Sequence, residues 1–152
     1  MKFLRKKIRE FKYNLKFLKK DSETKINYFV NSSINSQLTN LMNHYGSDKG
    51  GKNLHHNYAD FYSQLFFHKK KKIKNFLEIG LGTNDTDMLS NMGKDGVPLA
   101  SLRAWRDYFP NANIFGADID KKILKNEERI KTFYVDQTDP KSVKEMFSSI
   151  NE

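Results

Sequence analysis

The chain has 152 residues, with 27 Lys and Arg against 18 Asp and Glu, a formal charge of +9 and 38% apolar residues. That is one domain's worth of chain, and its 12 Phe, 7 Tyr and 1 Trp can fill a core, which excludes disorder throughout. The absence of cysteine excludes a disulfide scaffold, a thiolate zinc site, an iron–sulfur cluster and a cysteine nucleophile.

No window approaches the roughly 18 apolar residues of a membrane-spanning helix, and the N-terminus lacks a signal-peptide apolar stretch, so a cytoplasmic location is expected. The charge is concentrated. Residues 1–20 carry nine Lys or Arg against Glu10, which accounts for eight of the nine net positive charges. Leu4, Ile8, Phe11, Leu15 and Leu18 recur at helical spacing among them, the pattern of a basic amphipathic helix. Such a helix either docks on an anionic membrane or an acidic partner, or packs its apolar stripe on its own domain. Nucleic acid is not an expected partner, because the charge sits in one tail and no nucleic-acid motif accompanies it.

Residues 21–36 are polar and read as a connector. Ile34, Leu38, Leu41 and Tyr45 then predict a helix that Gly46 stops. A glycine-rich turn, Gly46-Ser47-Asp48-Lys49-Gly50-Gly51, leads to a second helical face of Tyr58, Phe61, Tyr62, Leu65 and Phe66, and Lys69 to Lys72 mark a solvated boundary. From residue 76 short apolar runs alternate with helical segments. Residues 76–79, 114–117 and 132–135 read as buried parallel strands. Between the first two, Pro98 opens and Pro110 closes a helix with Leu102, Trp105 and Phe109 on one face. After the third, Asp139 caps a helix that starts at Pro140 and carries Val143, Met146, Phe147 and Ile150 as its stripe. Strand and helix in this alternation predict an α/β sheet with right-handed crossovers.

The chemistry gathers at the strand ends. The first strand runs into Gly80-Leu81-Gly82, where glycine lets a ligand approach the backbone. Asp118 ends the second strand, where a carboxylate can accept both hydroxyls of a ribose, and Asp136-Gln137 follow the third. Together these form a nucleoside-sized crevice, although each fragment alone is equally a tight turn or a helix cap. A dinucleotide fold requires Gly-x-Gly-x-x-Gly, and the third glycine position here is Asp85, which together with Glu78 and Asp87 opposes a pyrophosphate. A sulfonium nucleoside carries no phosphate and tolerates those carboxylates. Gly46 to Lys52 matches part of a phosphate loop, but Asn53 stands where Ser or Thr belongs and a helix precedes it. His55-His56 lack a third ligand at suitable spacing and read as loop residues, so no metal site is predicted.

Leu77-Glu78-Ile79-Gly80-Leu81-Gly82, Gly116-Ala117-Asp118-Ile119-Asp120 and Val135-Asp136-Gln137 resemble the successive cofactor motifs of class I S-adenosylmethionine-dependent methyltransferases. Tyr45-Gly46-Ser47-Asp48-Lys49 with His55-His56-Asn57-Tyr58, and residues 101–110, resemble more narrowly the metal-dependent sugar O-methyltransferases of macrolide biosynthesis. The resemblance covers roughly residues 41–140. It implies a Rossmann-like methyltransferase fold, of which this chain supplies the 3-2-1 side of the sheet. It divides the chain into a basic amphipathic helix (1–25), a helical lid region (26–74) and a partial cofactor-binding domain (75–152).

Carried over by residue, the resemblance implies that Glu78 lies under the amino-acid end of S-adenosylmethionine and that Gly80 and Gly82 line its methionine portion. Asp118 would hold the ribose, and Asp136 with Gln137 would border the adenine. Asn84 stands where many methyltransferases have a third glycine. The 40 residues from Glu78 to Asp118 are twice the dinucleotide-fold interval of about 20, an insertion typical of this subgroup. The family's paired acidic metal ligands and base follow a fourth strand, so a divalent metal such as magnesium is expected of the full-length family with ligands outside residues 1–152. The expectation is therefore an O-methyltransferase acting on a sugar or other small hydroxylated acceptor, present as an incomplete chain, with oligomerisation open. The alternative is a non-catalytic module attached to an acidic or membrane surface through residues 1–20.

Overall fold

The computed structural model describes residues 36–51 and 56–150. The basic segment 1–20 and its surface contact, the 1–25 helix, and His55 lie outside the described residues. The elements are α1 (Gln37–Tyr45), a 3-10 turn (Asp48–Gly50), α2 (Tyr58–Phe66), β1 (Asn75–Ile79), α3 (Ala100–Tyr108), β2 (Asn113–Asp118), a 3-10 turn (Lys121–Ile123), β3 (Ile130–Tyr134) and α4 (Pro140–Ile150).

Local chemistry sets the helix ends. Ser36 Oγ accepts the Thr39 N–H at 3.0 Å and caps α1. Gly46 closes that helix in the left-handed region at φ 83°, and the following Ser47 N–H returns to the Met42 carbonyl at 2.8 Å. Asp139 Oδ1 takes the Lys141 N–H at 2.9 Å and caps α4, with Pro140 as its first residue. α3 is entered differently: Leu99 precedes it at φ 64° with no side-chain cap, and its buried side chain holds it in that conformation.

The three strands form one parallel sheet in the order β1-β2-β3. Glu78 pairs with Gly116 and Ile79 with Ala117, while Asp118 pairs with Tyr134. Because all three strands run the same way, their C-terminal ends meet on one edge of the sheet. Alternation along the strands divides the core. One face takes Phe76 and Ile114 and packs on α3, with α1 and α2 outside it, where Trp105 stacks on Phe109 at 5.5 Å and Phe76 lies 4.6 Å from Trp105. The other face takes Leu77, Ala117 and Phe133 and is covered by Val143, Met146 and Ile150 of α4.

The predicted α/β class, the strand order and the parallel pairing are all present. Four details differ. The inward side of α2 is Ala59, Tyr62, Ser63 and Phe66, whereas Tyr58 is exposed, because the small residues let α2 approach the other helices closely. α3 begins at Ala100, past Pro98, since residues 97–99 form a turn first. β3 starts at Ile130, earlier than expected, because Arg129 already offers its carbonyl to Ile114 and so starts the ladder. Phe147 of α4 is exposed, lying beyond the edge of this small sheet.

Candidate functional site

The loop after β1 turns on two glycines, each in the left-handed region: Gly80 at φ 84° and Gly82 at φ 82°. Their surroundings differ. A Cβ on Gly80 would meet nothing within 4 Å, so this backbone borders open space. A Cβ on Gly82 would stand 2.6 Å from Met92 Sδ, so that glycine admits a protein side chain.

Two carboxylates at the end of β2 hold the loop. Asp118 accepts the Leu81 N–H at 2.7 Å on one oxygen and the Asp120 N–H at 2.9 Å on the other, and is 7% exposed. A carboxylate offers about four acceptor positions, so two remain for a ligand hydroxyl. Asp120, equally buried, accepts the Thr83 hydroxyl at 2.6 Å and the Lys122 N–H at 2.9 Å. Thr83 extends the network, because its Oγ1 accepts the Asp85 N–H at 3.0 Å and its carbonyl accepts the Met92 N–H at 2.7 Å.

Glu78 points to the α3 face. Its carboxylate accepts the Ser101 hydroxyl at 3.0 Å and the Trp105 indole N–H at 2.8 Å, and Lys49 Nζ stands 3.3 Å from the same side chain. Asn84 is exposed and lines, with Thr83, Asp85, Leu99, Asp120 and Lys122, a cavity of about 630 Å³. Asp85 is held below the usual carboxylate range by the Asp87 N–H and then by Lys122, 3.2 Å away. Asp136 is also held low, by the hydroxyl and N–H of Thr138, while its own N–H donates to Ser142 Oγ at 2.9 Å. Gln137 beside it is exposed.

The fold thus brings Glu78, Gly80, Gly82, Asn84, Asp118, Asp136 and Gln137 to the C-terminal edge of one sheet. Residue patterns did not single out Thr83, Asp120 or Lys49 as parts of the site. The second carboxylate of Asp118-Ile119-Asp120 was the available signal for Asp120, but its partner lies 37 residues away. Among the described residues, no group of three or more His, Asp or Glu side chains is placed to hold a metal ion. His56 stacks on Tyr58 at 4.9 Å.

No family model matches the chain. It is 34% identical over 113 residues to the 8-demethyl-8-alpha-L-rhamnosyl tetracenomycin-C 2'-O-methyltransferase of Streptomyces olivaceus, which covers 74% of this chain and 27% of that protein. It is 33% identical over 102 residues to the 8-demethyl-8-(2-methoxy-alpha-L-rhamnosyl)-tetracenomycin-C 3'-O-methyltransferase of the same organism, covering 67% and 24%. Among solved structures, MycE methyltransferase from the mycinamycin biosynthetic pathway, in complex with Mg, SAH and mycinamycin VI, superposes with a TM-score of 0.57 at 27% identity, over 72% of this chain and 27% of that one. The same enzyme with Mg and SAH gives 0.58 at 28% identity, over 75% and 29%. The chain spans about a quarter of the length of these relatives. Over the part that it shares with them, the chain is similar in sequence and in fold to class I S-adenosylmethionine-dependent methyltransferases of the sugar O-methyltransferase kind.

Proposed function

We propose that this chain binds S-adenosylmethionine across the ends of β1, β2 and β3 and serves transfer of its methyl group to a hydroxyl oxygen of a small acceptor, a sugar above all. The observation that carries this reading is the clasped glycine loop: Asp118 and Asp120 hold Leu81 and Thr83, and the backbone at Gly80 faces open space. Glu78 lies at the amino-acid end of the cofactor, Gly80 and Gly82 along its methionine portion, and Asn84 on the loop. Asp118 meets the ribose with its remaining acceptor positions, and Asp136 and Gln137 border the adenine. When bound, the cofactor supplies a methyl group on a positively charged sulfur, open to in-line displacement by an oxygen nucleophile.

The carboxylates around the loop suit a cationic ligand better than a pyrophosphate. They do not suit magnesium. Asp85 is paired with Lys122, Asp120 holds the Thr83 hydroxyl and the Lys122 N–H, and among the described residues no three His, Asp or Glu side chains are placed together to hold a metal ion. The curated relatives, named for methyl transfer to rhamnosyl groups, support a sugar acceptor. A cytoplasmic location goes with this reading, and among the described residues no helix is long and apolar enough to cross a membrane.

Ultraviolet crosslinking with methyl-tritiated S-adenosylmethionine tests the reading. Label is expected in peptides spanning residues 78–84 or 118–137 and is expected to be competed by S-adenosylhomocysteine. Absence of label, or label that the competitor does not remove, contradicts it.

A further inference from the structure

The segment between α2 and β1, Phe67-His68-Lys69-Lys70-Lys71-Lys72-Ile73-Lys74, holds five lysines and no carboxylate. Hydrogen bonds fix its backbone. The Lys69 N–H returns to the Phe66 carbonyl at 2.9 Å, the Lys72 N–H to the Lys69 carbonyl at 2.8 Å, and Asn111 Nδ2 donates to the Lys71 carbonyl at 2.9 Å. Ile73 packs against the core. Of the five lysines, Lys70 is engaged within the protein, donating to Gln37 Oε1 at 2.5 Å and lying 4.9 Å from the Tyr108 ring centroid. Lys69, Lys71, Lys72 and Lys74 are exposed, and among the described residues no carboxylate pairs with them. Phe67, at the end of α2, is 69% exposed beside them.

The Asn113 N–H donates to the Lys74 carbonyl at 2.9 Å, so this segment sits at the N-terminal edge of the sheet, opposite the edge that holds Gly80 and Asp118. Phe67 and Lys70 line a cavity of about 420 Å³ together with Ser36 and Gln37, so the upstream chain, with eight net positive charges in residues 1–20, joins the domain beside the same segment. We propose that residues 67–74 dock the protein on an anionic phospholipid bilayer, with Lys69, Lys71, Lys72 and Lys74 on the headgroup phosphates and Phe67 in the headgroup boundary. Each lysine close to such a surface strengthens binding about fivefold, and an apolar side chain in the same patch adds area that the interface buries. A bilayer uses both the charge and Phe67, whereas a phosphate backbone uses the charge alone. Docking by this edge leaves the opposite, crevice-bearing edge turned to solution, and it does not depend on which ligand the crevice takes.

Co-sedimentation of the 152-residue chain with vesicles of phosphatidylglycerol and phosphatidylcholine in equal parts, and with vesicles of phosphatidylcholine alone, tests the assignment. The unaltered chain is expected to sediment with the anionic vesicles at about 0.05 M salt and to stay largely in solution at about 0.5 M. Lys69→Gln/Lys71→Gln/Lys72→Gln is expected to weaken binding at least about tenfold, and Phe67→Ser about threefold. Lys69→Arg/Lys71→Arg/Lys72→Arg keeps the charge and is expected to keep the binding. Unchanged binding of the folded Gln variant would assign the contact to residues 1–20 and overturn the proposal. Equal sedimentation with phosphatidylcholine alone, no sedimentation of the unaltered chain with anionic vesicles, or tighter binding to a duplex oligonucleotide than to those vesicles would overturn it as well.

Discussion

Thr83 donates its hydroxyl to Asp120 across 2.6 Å, joining the glycine loop to the end of β2 through two side chains 37 residues apart in the chain. Both are buried, so removing the hydroxyl leaves a carboxylate oxygen without its donor. Thr83→Val keeps the shape and is expected to destabilise the fold by about 1–3 kcal/mol. Thr83→Ser retains the bond and is expected to lose less than half of that. Urea unfolding of the two variants measures the difference, and an unchanged stability in Thr83→Val, or a larger loss in Thr83→Ser, would contradict the hydrogen bond as the main contribution.

The two loop glycines separate strain from space. Gly80→Ala meets no atom and pays only for a left-handed alanine, roughly 1–2 kcal/mol. Gly82→Ala carries the same strain and also collides with Met92. It is expected to lower the urea midpoint more than Gly80→Ala, whereas Gly80→Ala intrudes on the proposed ligand space and is expected to weaken S-adenosylhomocysteine. The reverse order of stabilities would contradict the packing at Met92.

Arg103 on α3 grips Glu127 with two bonds, at 3.0 and 2.7 Å, and those bonds hold the Glu127 carboxyl below the usual carboxylate range despite its partial burial. A lowered folded value means that the pair contributes stability above the unfolded value of about 4.3 and loses it as pH falls through the folded value. Thermal melts from pH 6 downward are therefore expected to show a fall below about pH 4.3 that Glu127→Gln lacks. At higher pH that variant is expected to be less stable by about 1 kcal/mol, between surface and buried ion pairs. Parallel profiles for the two proteins would contradict the assignment.

Trp105 is the single tryptophan, and its indole donates to Glu78 at 2.8 Å. Emission on adding S-adenosylhomocysteine is therefore expected to change with the occupancy of the amino-acid end, and the change is expected to be smaller in Glu78→Gln. An unchanged spectrum under saturating ligand would place the ligand away from Glu78.

Much of the fold was legible because each signal was local. Gly46 and Asp139 mark helix ends by chemistry that involves their own neighbours, and the apolar run before Asp118 is a strand buried on both faces, whereas the run before Gly80 forms a strand that is only partly buried. The inward face of α2 was misread because Ala59 and Ser63 are small and carry no hydrophobic signal, whereas exposed Tyr58 does. At the site, Asp118 was legible from its place after a strand. Its bonds to Leu81 and Asp120, and the contact of Lys49 with Glu78, depend on how the loop and the turn fold back on the sheet, which no residue spacing encodes.

The crevice suits an S-adenosyl nucleoside better than a phosphate-bearing dinucleotide. Asp85, held below the usual carboxylate range by the Asp87 N–H and Lys122, stands on the loop, and no helix begins until Ala100, so no helix N-terminus follows Gly82 to receive a pyrophosphate. The most direct measurement is calorimetric titration of the folded 152-residue chain with S-adenosylhomocysteine and, separately, with NAD. Saturable one-to-one binding of S-adenosylhomocysteine with no heat from NAD is the expected result; binding of NAD, or no binding of S-adenosylhomocysteine by the folded chain, would contradict it.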